Sequence, residues 1–301
     1  MRRGVHAILY AFFDEAERLD RDAMRAQVEM CIESGVAGVA ALGLATEVAK
    51  LSFTERVQVM EWVAQDVAGR VPVGFTITGG SVAEQVEGLH QAERVGADWL
   101  ILQPPAVGHY EASEYLEFFL RVMAKTSLPV AIQNAPQYLG RGLSDSDITN
   151  LRQRAANFTL IKSEATAAEC GRLITLSGEG LAVFNGRGGQ EMIACLDVGC
   201  AGFLLAPDLV DYGVEVMRLW DNGDRNHAAA LHEKTVPAIA HVMRSIEHLI
   251  CYGKRLFALR AGLTVKDRAP AMRPDPVELA QIEKLAQALG RFGQVAKAAR
   301  E

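Results

Sequence analysis

The chain has 301 residues, 50% hydrophobic and 23% charged, the balance of a globular protein with a substantial core. Its 31 basic and 37 acidic residues give a net charge of −6 with no basic run, which argues against nucleic acid and anionic membrane as partners. Five scattered cysteines (Cys31, Cys170, Cys195, Cys200, Cys251), odd in number and without a C-x-x-C pair, argue against a disulfide framework and a zinc knuckle.

Residues 4–12 read as a strand, and Asp20 as the N-cap of an amphipathic helix that runs to Glu33. There the phrase Glu33-Ser34-Gly35-Val36-Ala37-Gly38-Val39-Ala40-Ala41-Leu42 begins: a helix stops at a glycine able to take positive φ, and an apolar strand follows. The phrase recurs at residues 93–102 and 197–205, so one βα unit is used repeatedly. Between the copies, strands are predicted at 71–78, 130–135, 159–164 and 181–185, with helices at 52–67, 81–95, 113–125, 144–154 and 167–176. About eight strands alternating with helices predict a closed (β/α)8 TIM barrel, and no G-x-G-x-x-G follows the first strand to favour a dinucleotide fold. After about Asp208 only helices are expected, at 225–243, 245–263 with a break near Gly253, and 276–299. The predicted division is a barrel over 1–224 carrying the active site and a helical extension over 225–301 packed on it. Nowhere is an uncharged apolar stretch long enough to span a bilayer, and the expected compartment is the cytoplasm.

In such a barrel, functional groups gather at the C-terminal ends of the strands. The sixth strand ends in Leu160-Ile161-Lys162-Ser163-Glu164, and its period of two sets Leu160, Lys162 and Glu164 on one face. A buried ammonium either gains a partner or loses its proton, and a neutral lysine is a nucleophile toward ketones. A plain Lys162–Glu164 ion pair is the competing reading. Polar groups also close the second strand (residues 43–47), the fourth (103–106), the fifth (Gln133-Asn134-Ala135-Pro136) and the seventh (Asn185-Gly186-Arg187-Gly188-Gly189).

The order of these pieces resembles the family of dihydrodipicolinate synthase and N-acetylneuraminate lyase. Its G-[ST]-[ST]-G-E, Y-N-x-P and I-K-[DE] elements match residues 43–47, 133–136 and Ile161-Lys162 in order and spacing, and the resemblance covers nearly the whole chain. It implies class I aldolase-type chemistry: Lys162 forms a Schiff base with a small 2-keto acid, without cofactor or metal, in what is usually a homotetramer.

Departures from the pattern carry the functional reading. Leu44 and Ala45 stand where the family has hydroxyls that hold the substrate carboxylate, so that carboxylate must lean on backbone N–H groups around Leu44, Ala45 and Thr46. Alternatively Thr46 only caps the turn and Glu47 is a surface charge or helix-start acid. Gln133 replaces the proton-shuttling tyrosine, and an amide cannot exchange a proton at neutral pH. Glu164, or less readily Tyr138, is the substitute, unless Glu164 only neutralises the lysine. Tyr138 also stands where the synthase has an arginine, and Pro105 and Ala106 replace its paired tyrosines, so dihydrodipicolinate synthesis is not expected. Asn185, Gly186 and Arg187 are candidates for the substrate's distal groups, with a solvated Arg187 as the alternative, and His109 is placed to reach the mouth. The resulting expectation is a Schiff-base lyase that dehydrates a 2-keto-3-deoxy sugar acid. It resembles the branch with glutamine in this motif, which converts 2-keto-3-deoxy-L-arabonate to 2-oxoglutarate semialdehyde. A retro-aldolase releasing pyruvate and a keto-acid-binding protein without turnover are the alternatives.

Overall fold

Eight short strands, buried along nearly their whole length, close on themselves in chain order: β1 (Gly4–Ile8), β2 (Gly38–Ala41), β3 (Val73–Ile77), β4 (Trp99–Leu102), β5 (Val130–Asn134), β6 (Phe158–Ser163), β7 (Ala182–Asn185) and β8 (Gly202–Leu205). All neighbours are parallel, and β8 pairs with β1 to complete the (β/α)8 barrel in a computed structural model that describes residues 3–295. The strands are fully apolar because helices cover the outside while side chains fill the inside. Size alternation fills that interior. His6 opposes Gly38, Trp99 opposes Gly74, and Phe184 opposes Gly202, and the three rings meet edge to face in the lumen. A Cβ on any of those glycines would overlap the facing ring.

Local signals set the helices. Asp20 caps Arg21–Glu33, Ser52 and Thr166 form capping boxes with Glu55 and Glu169, and Ser144 does so with Asp147. The glycine of each repeated phrase takes the expected left-handed turn, at φ 93° for Gly35, 86° for Gly96 and 94° for Gly199.

The predicted first strand is too long: pairing stops at Ile8, and residues 9–12 continue as buried, irregular chain over the barrel mouth. The sequence reading missed the helix Val210–Asp221, which packs beside β1. The helix predicted over 225–243 is two, Arg225–Glu233 and Val236–Val242, because Pro237 has no N–H to donate to the Glu233 carbonyl and its ring crowds that turn. The expected break near Gly253 is a π turn over Leu249–Gly253 before Lys254–Ala261. The last helix, Pro276–Leu289, stops at Gly290, so the predicted helix is interrupted over 290–293 before residues 294–295 turn helical again, and residues 296–299 lie outside the described part. No helix among the described residues is long and apolar enough to cross a membrane.

Buried charges fasten the C-terminal helices to the barrel. Arg260 and Asp211 meet at 2.6 Å with both side chains fully buried, Arg260 also donates to the Asp208 carbonyl, and the Gly293 N–H donates to Asp211. Removing one member of such a pair strands the other charge without solvent. Arg260→Leu should therefore lower the unfolding free energy in urea by ~3–5 kcal/mol. Arg154→Ala, which breaks an exposed pair with Glu117, should leave it almost unchanged.

Candidate active site

Lys162 extends from the end of β6 into the barrel mouth, 6% exposed, with Nζ 3.0 Å from Glu164 Oε1. The residue pair is therefore both a buried ion pair and part of a cavity wall. Glu164 is fixed from three sides. The Arg187 N–H donates to Oε2 at 2.5 Å, the Gln137 amide donates to the Glu164 carbonyl, and Gly186 lies against the carboxylate so closely that a Cβ there would overlap it. Gly186 thus makes room for Glu164 and is not among the residues lining the cavity.

Gln133 is the β5 register partner of Lys162 and projects into the same cavity. Its Oε1 accepts from Gln103 Nε2 at 2.7 Å, and Gln85 Nε2 donates to the Gln103 carbonyl at 2.8 Å, which orients the pair. Gln133 Nε2 is buried and has no protein partner, a donor open to a water or a ligand oxygen.

The turn after β2 departs from expectation. Leu44 and Ala45 line the cavity, but the Thr46 hydroxyl donates to the Leu9 carbonyl at 2.5 Å and its N–H to Gly43. Thr46 is a turn brace, which leaves only the backbone of Leu44 and Ala45 to meet an anion. Glu47 is no surface acid. It is 4% exposed, holds a left-handed φ of 55°, and is paired with the fully buried Lys254 and with Lys50. Asn185 is also structural, since its amide donates to Ala165 O at 2.9 Å and it stays out of the cavity wall. His109 is exposed in the loop after β4 and does not reach the cavity. Arg187 and Tyr138 do line it. Arg187 is tied to Glu191 at 2.7 Å, and burial together with the Glu164 charge pushes the Tyr138 phenol up.

Two residues that the sequence reading passed over belong to the site, one in the wall and one holding it. Asp208, just after β8, is a cavity residue 4% exposed, and Tyr10, just after β1, donates its hydroxyl to Asp208 Oδ1 at 2.8 Å. Burial pushes the Asp208 carboxyl up to about 6 against the pull of that hydrogen bond, and burial beside Asp208 pushes Tyr10 well above the usual phenol range. The strand-end rule, carried to the first and eighth strands, points to both. Met243, Ile246 and Leu249 from the C-terminal helices roof the cavity, so the barrel alone does not form the site.

The enclosed space is about 50 Å³, room for roughly three or four waters. It adjoins an open cleft of about 890 Å³ and shares Tyr138, Glu164, Arg187 and Met243 with it. A small head group can sit against Lys162 while a polar tail reaches outward.

This chain is 26% identical over 292 residues to a 4-hydroxy-tetrahydrodipicolinate synthase of Acidobacterium capsulatum, with 95% of each chain covered. It is 24% identical over 248 residues to the L-2-keto-3-deoxyarabonate dehydratase of Azospirillum brasilense, covering 80% of each. Its fold superposes at a TM-score of 0.89 on YagE, a prophage protein of Escherichia coli K12 solved with pyruvate, at 23% identity over 95% of this chain and 98% of that one. A model described as the Dihydrodipicolinate synthetase family matches residues 1–289 without a break, so the barrel, the lysine strand and the helices that roof them place this chain in that family.

Proposed function

We propose that this lyase of the dihydrodipicolinate synthetase family dehydrates a 2-keto-3-deoxy sugar acid through a Schiff base at Lys162, with 2-keto-3-deoxy-L-arabonate as the best candidate. The observation that carries the reading is the pairing of a buried Lys162–Glu164 unit with an amide, Gln133, where aldol cleavage calls for a group that can take a hydroxyl proton. The likeness to an L-2-keto-3-deoxyarabonate dehydratase supports the same choice.

Glu164, 3.0 Å from Nζ, can take the lysine's proton, and the free amine attacks the C2 carbonyl carbon. Water leaves, and the protonated imine draws electrons from C3, whose proton Glu164 removes to give the enamine. The enamine expels the C4 hydroxyl, which takes a proton from Asp208 and departs as water. Asp208, now a carboxylate, takes a C5 proton; reprotonation at C3 and ketonisation of the C4–C5 enol give the aldehyde, and hydrolysis frees Lys162. The orphaned Gln133 amide would donate to a substrate oxygen, and the Leu44 and Ala45 backbone would meet the C1 carboxylate.

Borohydride treatment with this substrate should add the mass of one reduced keto-acid adduct per chain, and Lys162→Ala should gain none. Product analysis should find 2-oxoglutarate semialdehyde; pyruvate with glycolaldehyde in its place would overturn the dehydration and favour retro-aldol cleavage, and trapping without turnover would leave only a binding protein.

Asp208→Asn should still trap the imine but turn over ~10²–10⁴-fold more slowly. In the parent protein, turnover should fall as pH rises through about 6, where Asp208 loses its proton. The variant should lack that limb. The folded carboxyl titrates above its unfolded value, so its stabilising proton is held at low pH and lost as pH rises through about 6. Chemical denaturation should then find Asp208→Asn more stable than the parent at pH 8, with the gap closing toward pH 4.

A further inference from the structure

Behind the wall that carries Lys162, three cysteines far apart in sequence come together. Cys170 lies on the helix Ala167–Ser177, Cys195 on the helix Met192–Asp197, and Cys200 in the turn before β8, and their Sγ atoms are all within 4.8 Å of one another. All three are fully buried and none is in a disulfide. Cys170 is the focus of the cluster. The Asn185 amide points to its sulfur at 3.6 Å, Ser163 Oγ lies 3.7 Å away, and the other two thiols face it. The three sulfurs thus converge on one buried point, each able to give up its proton as it binds.

Three soft donors converging without a fourth protein ligand set the coordination, and charge decides what can fill it. The polar groups at the cluster are Ser163 and Asn185, both neutral, and the nearby Glu191 carboxylate is already paired with Arg187. A divalent metal held by three thiolates would leave a net negative charge in this buried cluster, and a monovalent one would leave two. A trivalent centre leaves none.

We propose that Cys170, Cys195 and Cys200 form a buried three-thiol site that captures one trivalent arsenic-type centre, with arsenous acid as the entering species. The exchange is balanced without any oxidant: As(OH)3 and three S–H groups give As(S–Cys)3 and three waters. Three As–O bonds are replaced by three As–S bonds, and each thiol proton leaves on a hydroxide. The reagent and the complex are both neutral, so nothing charged has to cross the apolar shell. Access comes from brief opening of the six-residue helix that carries Cys195.

The test uses the full chain, incubated with sodium arsenite, desalted and analysed by native mass spectrometry and elemental analysis. One arsenic per chain should be retained, three thiols should be lost to a thiol reagent after denaturation, and Cys31 and Cys251 should remain reactive. Cys170→Ser and Cys195→Ser should each weaken retention at least 100-fold. If a variant fails to fold, a dithiol chelator added to the loaded parent should release the arsenic and restore all three thiols. No retained arsenic, retention carried by Cys31 or Cys251, or tighter retention of Cd²⁺ than of arsenite under the same conditions would each overturn the assignment.

Discussion

An ammonium held against a carboxylate inside a closed barrel is the constraint to which the rest of the site answers. Glu164 is the counter-charge 3.0 Å from Lys162, and the Arg187 N–H, the Gln137 amide and the bare Cα of Gly186 hold Glu164 in place. These supports come from the ends of β5 and β7, and the barrel brings them to Glu164 after β6 because its strands run parallel with their polar tips at one rim. The left-handed backbone at Arg187, φ 48°, fits this view. A non-glycine residue takes that conformation at a cost, and here its N–H is aimed at Glu164.

The C-terminal helices belong to the same electrostatic arrangement. Glu47, at the end of the second-strand turn, is held by Lys254 from the last third of the chain, and Gly253 beside it lies against the Tyr10 hydroxyl. Tyr10 in turn holds Asp208, whose backbone carbonyl accepts from Arg260. Loss of the extension would expose Lys162 and break the chain of contacts that sets Asp208. This makes the roof residues Met243, Ile246 and Leu249 part of the site's chemistry, since they keep out the water that would level the two carboxyl environments.

The barrel was legible in the sequence because its signals are local: a glycine after several of the helices, a capping side chain before many of them, an apolar run for each strand. Lys162, Glu164 and Gln133 were legible because strand periodicity and the strand-end rule name them directly. What failed was long-range. Nothing near Thr46 in sequence indicates that its hydroxyl is used by Leu9, and nothing near Glu47 indicates Lys254, more than two hundred residues on. Asn185 and Gly186 were rightly placed at the mouth but turned toward their neighbours instead of the cavity. Cys170, Cys195 and Cys200 carry no spacing that resembles a ligand set, because the barrel, not the chain, makes them neighbours.

The site's two carboxyl groups sit in opposite electrostatic circumstances, and that asymmetry supplies what Gln133 cannot. Glu164 lies 3.0 Å from the Lys162 amine and accepts from the Arg187 N–H, which places it to exchange a proton with that amine. Asp208 is buried among apolar walls, which favours its neutral form against the pull of the Tyr10 hydroxyl and suits it to giving one. In the proposed dehydration the carboxyl beside the amine serves as the base and the one that burial keeps protonated serves as the acid. Elimination across adjacent carbons needs such a division, with a proton taken at one carbon and a hydroxyl protonated at the next. Aldol cleavage needs instead a base on the hydroxyl, and the group nearest that place is an amide whose free donor can only hold an oxygen still.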